Sequence, residues 1–316
     1  MFRLWKVAFI LMVGIMLASC GKEEAAEQEK QTGELTVYTT IYPLTFFTQE
    51  IGKDLVNVES VLPAGVDEHT YEPTSKTMMD IAGGDLFLYN GLGLEPFGDK
   101  LQQSLEAEEV RIVEVGDQVH LEETAEEPHA DHEHEEHEGH DHGSVDPHIW
   151  IDPQLAAQMA EVVKEELSEL RPEHQDEFEQ NYQALKKRLS ELDGQFQEMA
   201  DVASRKEFIV SHAAFGYWER YGLEQVSIAG LSPTSEPSQK ELKEIIETAK
   251  AHDTKYIVFE QNVTPRVAEV VQRELNAEAL RVHNLSVLTE EDIAKEENYF
   301  TLMEKNIQTL QKATEE

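Results

Sequence analysis

Apolar runs of strand length alternate with helix-length segments along this chain, and the alternation is interrupted once, from Pro153 to Ala203, by residues that read as helix alone. Ahead of the interruption stand LTVYTTI, LVNVESVL, DLFLYNG and RIVEV, separated by PLTFFTQEIG, TSKTMMDIAGG and EPFGDKLQQSL. After it stand EFIVSH, LEQVSIAG, KYIVFEQ and AEALRVHNL, separated by AFGYWERYG, QKELKEIIETAKAH and PRVAEVVQREL, with a closing helix EENYFTLMEKNIQTLQKA. Strands joined by helix-length crossovers pair in parallel, and a parallel sheet must be covered on both faces. The fold class is therefore α/β, with two open, mainly parallel lobes of similar strand count on either side of a helical connector.

Within the connector, Phe178, Tyr182, Leu185, Leu189, Leu192, Phe196 and Met199 recur at spacings of three and four, one apolar stripe on one long helix. The break RPEH separates it from the preceding helical run, so the connecting helix is assigned to residues 172–203. The first lobe then covers 35–171 and the second 204–316. The chain is long enough, at 316 residues and 40% hydrophobic, for one large domain or two modest ones, each with its own core.

At the N-terminus Arg3 and Lys6 precede the apolar run VAFILMVGIMLA, which is shorter than the roughly 20 residues of a membrane-spanning helix. It reads as a secretory signal over 1–19, ending in LASC, where cleavage leaves Cys20 as a lipid-bearing (palmitoylated) N-terminus. Residues 20–34 are charged, small and aperiodic, a tether between membrane and domain. Cys20 is the one cysteine in the chain, so neither a disulfide nor a cysteine-type zinc site is available. Lys and Arg total 26 against 64 Asp and Glu, a net charge of -38, which excludes nucleic-acid binding through phosphate contacts and favours a cationic partner.

Three histidines stand where ligands bind open α/β sheets, beyond the carboxyl ends of strands or in the loops that follow. His69 lies in PAGVDEHTYEP after the second strand, His148 in DPHIWIDP before the connector, and His212 ends EFIVSH. Prolines stiffen the loops of the first two, as a preorganised metal site requires. Three imidazoles and a fourth donor satisfy a tetrahedral zinc ion. His174, His252 and His283 lack that context and read as structural or surface residues.

These segments together resemble the metal-specific solute-binding proteins of bacterial ABC importers, and among them the zinc-uptake, ZnuA-type lipoproteins. The resemblance runs through TVYTTIYPLTFFTQEIG, LPAGVDEHTYEPTSKTMMDI, YNGLGLEPF, the histidine-rich insert, DPHIWIDP, SHAAFGYWERYGL, LSPTSEPS and VFEQNV. It implies two four-stranded lobes joined by one rigid helix, with one metal ion held between them by His69, His148 and His212. It also implies a permease partner in the membrane, a location on the extracytoplasmic face of the cell membrane, and action as a monomer. The manganese branch is similar but pairs two histidines with two carboxylates. A third imidazole at His212 suits zinc better.

One position departs from the family pattern: where a carboxylate ligand is usual after the last strand, this chain has Ser286 in HNLSVLTEED. Water or Glu68 ranks ahead as fourth ligand of Glu260, which equally suits orienting a ligand histidine. The insert, assigned to 117–146 as disordered, carries His129, His132, His134, His137, His140 and His142 among acids. It reads as a weak, fast-exchanging zinc collector beside the tight site. Three functions follow for comparison: a zinc receptor for an importer, a zinc-dependent hydrolase on three histidines and water, and an uncoupled zinc buffer or cell-adhesion factor. The sequence holds neither an HExxH helix nor a GxSxG elbow.

Overall fold

A computed structural model describes residues 33–105, 107–121, 145–235, 237–262 and 266–315. The signal segment, Cys20 with nearly all of the tether, and the six insert histidines from His129 to His142 lie outside the described residues.

The first lobe runs β1 (Leu35–Thr39), α1 (Tyr42–Gly52), β2 (Val56–Ser60), α2 (Ser75–Ala82), β3 (Leu86–Tyr89), α3 (Gly98–Leu105) and β4 (Arg111–Glu114). The connector follows as α4 (Pro153–Leu170) and α5 (Gln175–Val202). The second lobe runs β5 (Glu207–Val210), β6 (Glu224–Ser227), α6 (Gln239–Ala251), β7 (Tyr256–Glu260), α7 (Arg266–Leu275), β8 (Glu278–Val282), α8 (Glu290–Ala294) and α9 (Tyr299–Ala313). Each lobe holds a four-stranded sheet, ordered β2-β1-β3-β4 and β6-β5-β7-β8, with every pairing parallel. The order reverses direction between β1 and β3 and again between β5 and β7. Crossovers leave to opposite sides there, and a crevice opens at the strands' carboxyl ends.

Strand periodicity decides what each face buries. In β3, Leu86 and Leu88 join the central core while Phe87 and Tyr89 turn to the outer helices; in β7, Val258 faces inward while Ile257 and Phe259 face outward. The inner faces of both sheets share one core with α1, α4, α5 and α9, flanked by a smaller apolar cluster on each outer face. Of the two arrangements the chain length allows, one large domain or two modest ones, the shared core is that of the first. The stripe from Phe178 to Met199 on α5 is buried throughout, and an apolar row on a helix of about 42 Å, at 1.5 Å per residue, reaches both lobes.

Local chemistry sets the connector's breaks. Asp152 caps α4, accepting from the backbone N–H groups of Gln154 and Leu155, with Pro153 at the first helical position. Arg171 precedes Pro172, which drives it out of the helical region (φ -136°, ψ 72°). Residues Pro172–His174 form a single 3-10 turn, so the long helix begins at Gln175 rather than 172.

Two readings change. AFGYWERYG makes a 3-10 helix over Gly216–Tyr221, which Gly222 in the left-handed region (φ 77°) ends after six residues. Its Trp218 and Tyr221 pack on Phe196 of α5. The insert boundaries at 117 and 146 are also too wide. Asp117 belongs to a 3-10 turn, Val119 is buried in the central core, and Asp146 is built into the cleft described next.

Candidate metal centre

The switch point of the second sheet supplies one side of the site. His212 follows β5 by two residues, and Glu260 is the last residue of the adjacent β7. The His212 Nδ1 lies 2.5 Å from Glu260 Oε1. A proton on Nδ1 donated to that carboxylate leaves Nε2 as a bare lone pair. His212 Nε2 is buried and has no hydrogen-bond partner.

The first lobe supplies the other side. Asn90, at the end of β3, donates to the Pro147 carbonyl at 3.0 Å, and the Tyr217 hydroxyl donates to the Asp146 carbonyl at 2.7 Å. The loop between them is held from both lobes. His148 is fully buried, and its Nδ1 lies 2.7 Å from Asp146 Oδ1, the same oxygen that accepts its backbone N–H at 3.0 Å. The His69 loop repeats the device, with the His69 N–H donating to Asp67 Oδ1 at 3.0 Å. In both loops an aspartate two residues ahead folds back on the histidine's backbone. The Gly65 N–H donates across the cleft to the Leu288 carbonyl at 2.9 Å.

His69, His148 and His212 converge so that one nitrogen of each lies within 4.8 Å of the others. The Nε2 atoms of His69 and His148 are 3.3 Å apart. Two nitrogens bound at zinc–nitrogen distance to a tetrahedral ion are separated by about 3.3 Å. Among the described residues this is the one such cluster able to hold a metal.

Electrostatics match a cation site. Burial, with His148 and His212 adjacent, lowers the His69 pKa to about 3, so it stays neutral. Burial also opposes charge on His212, but the Glu260 carboxylate outweighs it and raises its pKa. Glu68 is raised to about 7, chiefly by burial.

Among the three candidates for a fourth donor, Glu260 is committed: Oε1 to His212 and Ser211, Oε2 to Asn284 at 2.9 Å. The Ser286 hydroxyl is buried, donates to Asn284 Oδ1 at 2.9 Å and lies beside the Glu68 carboxylate. Glu68 is 1% exposed, with Oε1 at 3.9 Å from His69 Nε2 and Oε2 lacking any partner. The three histidines read as structural or surface residues have other engagements. His283 uses both ring nitrogens, on Leu285 and Asp292, while His174 meets Glu177 and His252 meets Glu207. Asp146, Asn90, Asn284 and Tyr217 also build the site, and sequence reasoning alone does not find them. Only the repeated Asp-x-His spacing, in DEH and DPH, signalled any of them.

The ZnuA family, described as zinc-uptake complex component A, periplasmic, matches residues 37–313. The zinc-binding lipoprotein AdcA of Streptococcus pneumoniae (strain ATCC BAA-255 / R6) is 35% identical over 314 residues, covering 98% of this chain; the chain spans 61% of that relative's length. The high-affinity zinc uptake system protein ZnuA of Bacillus subtilis (strain 168) is 34% identical, with 98% of both chains covered. The solved structure of the Zn(II)-bound ZnuA-like domain of S. pneumoniae AdcA superposes with a TM-score of 0.74 at 33% identity, covering 90% of this chain and 100% of that one. With a two-lobed fold, a convergent histidine triplet and this extent of match, the chain belongs to the ZnuA family of zinc-uptake components.

Proposed function

We propose that this protein is a zinc receptor, which captures Zn2+ between its lobes and delivers it to an ABC permease for high-affinity uptake. The observation that carries the reading is the approach of three imidazole nitrogens, two of them 3.3 Å apart, in a buried cleft with two of the rings backed by carboxylates. His69, His148 and His212 are the ligands, and the buried carboxylate of Glu68, with Oε1 3.9 Å from His69 Nε2, supplies the fourth donor. Glu260 and Asp146 fix the tautomers of His212 and His148 so that Nε2 faces the ion. Three nitrogens favour zinc over manganese. A hydrolytic centre needs a fourth position open to water, and here a buried carboxylate contends for it, which favours capture over catalysis.

The outer parts of the reading follow from sequence. Residues 1–19 are the signal, Cys20 is the lipid anchor on the extracytoplasmic face, and the tether through 34 leads to the first lobe. The lobes meet through α5 (Gln175–Val202), the protein acts as a monomer, and the histidines from His129 to His142 collect zinc for the cleft. The test is growth of a strain lacking this protein in chelated medium. Failure to grow, rescued by added zinc or by the intact gene but not by a His69→Ala copy, supports the receptor. Unimpaired growth points instead to an uncoupled buffer or an adhesin.

A further inference from the structure

At Asn284, carboxylates from the two lobes approach a single side chain. Its Nδ2 donates to Glu260 Oε2 at 2.9 Å and to Glu68 Oε1 at 3.4 Å, so one amide group spans the second lobe's acid and the first lobe's. The amide's orientation is fixed by its other end. Oδ1 accepts from the Ser286 backbone N–H at 3.1 Å and from the Ser286 hydroxyl at 2.9 Å, leaving the donors to face the acids. The backbone is held as firmly. The Asn284 carbonyl accepts from Trp150 Nε1 at 2.6 Å, the Leu285 N–H donates to His283 Nδ1, and buried Leu285 sits in the left-handed region at φ 64°. A bulky residue adopts that conformation only where its surroundings enforce it, and such strain gathers at sites that need a fixed geometry.

From this geometry we infer that Asn284 is a positioning residue for the ion's fourth ligand. It holds Glu68 Oε1, the oxygen that lies 3.9 Å from His69 Nε2, from across the cleft, and it does so as a neutral donor. An acid in its place would add a third carboxylate, with lone pairs where these two acids need hydrogens. Ser286 is thus the brace of a clamp rather than a failed ligand. The inference rests on the zinc-receptor reading and deepens it: the clamp sets tetrahedral closure of the site, which adds to the preference that the three nitrogens give zinc over manganese.

Cobalt(II) serves as the probe, because its visible absorption is strong when tetrahedral and weak at higher coordination. Asn284→Ala is expected to bind one cobalt equivalent with a markedly weaker band, and to bind zinc roughly 10- to 100-fold less tightly, with a smaller zinc-over-manganese ratio. In a Glu68→Gln background the same substitution should leave the spectrum unmoved, since the residue acts through Glu68. Asn284→Asp, which keeps the side chain's shape and its Oδ1 contacts, guards against a folding defect and should shift the spectrum as well. Wild-type spectra in both Asn284 variants, or an Asn284→Ala effect that persists without Glu68, would overturn the inference while leaving the histidine site standing. If instead His69→Ala, His148→Ala and His212→Ala all bind cobalt as the wild type does, the receptor reading itself falls and the clamp with it.

Discussion

At the scale of single residues, the cleft is built by carboxylates that hold histidines rather than by histidines alone. Glu260 is 0% exposed and would be an isolated buried charge without His212, Ser211 and Asn284. Glu260→Gln should weaken zinc binding about 10- to 100-fold, as loss of an orienting partner does, with circular dichroism unchanged; a titration against a chromophoric chelator reads it. Asp292 performs a structural version of the same task. It accepts from His283 Nε2 at 3.1 Å, from Gln261 and from Thr289, and although burial opposes its charge, these partners hold its pKa well below the ordinary carboxylate range. A depressed folded value stabilises the protein fully above the unfolded carboxyl's pKa of about 4, and that contribution disappears as pH falls toward the folded value. Asp292→Ala should therefore cost about 1–3 kcal/mol at pH 7 and progressively less below pH 4, measured by urea unfolding at both pH values. Loop context and family resemblance single out His69, His148 and His212, which the fold brings together. They do not single out Asn284 and Asn90, because each acts on a residue far along the chain, 216 positions away for Asn284 and Glu68.

At the scale of elements, α5 ties the structure together. Its stripe was readable because a period of three and four survives any tertiary arrangement, and the strands were readable from their apolar runs. The segment Gly216–Tyr221 reads as helix-length but forms a 3-10 helix, since aromatic burial against Phe196 looks the same in sequence whether the backbone is α or 3-10. The insert's edges differ from the sequence expectation for the opposite reason: acidic composition masks Val119 and Asp146, whose roles come from what they touch. Phe196 stacks on Tyr221 with centroids 5.4 Å apart and is fully buried. Phe196→Ala should destabilise the protein by about 3–5 kcal/mol. Because α5 belongs to the core shared by both sheets, thermal unfolding should remain one transition rather than split by lobe.

Across the whole molecule, the lobes are pinned at several points besides the metal site. The Tyr42 N–H donates to the Ser286 carbonyl at 2.8 Å, and the Tyr299 hydroxyl donates to the Trp150 carbonyl at 2.7 Å. Such a frame presents its ligands nearly preassembled, so little ordering entropy opposes the ion. A ligand that binds the folded state alone adds about 2.7 kcal/mol at one hundred times its Kd, and zinc should raise the unfolding midpoint accordingly. Deleting residues 122–142 should remove weak zinc equivalents and leave that tight one in place, as counted by equilibrium dialysis. The most direct measurement is a competitive zinc titration of the soluble chain beside its His69→Ala, His148→Ala and His212→Ala variants. One tight equivalent in the wild type, lost or weakened by orders of magnitude in each variant, is the expected result; tight binding that survives all three substitutions would contradict the cleft as the zinc site.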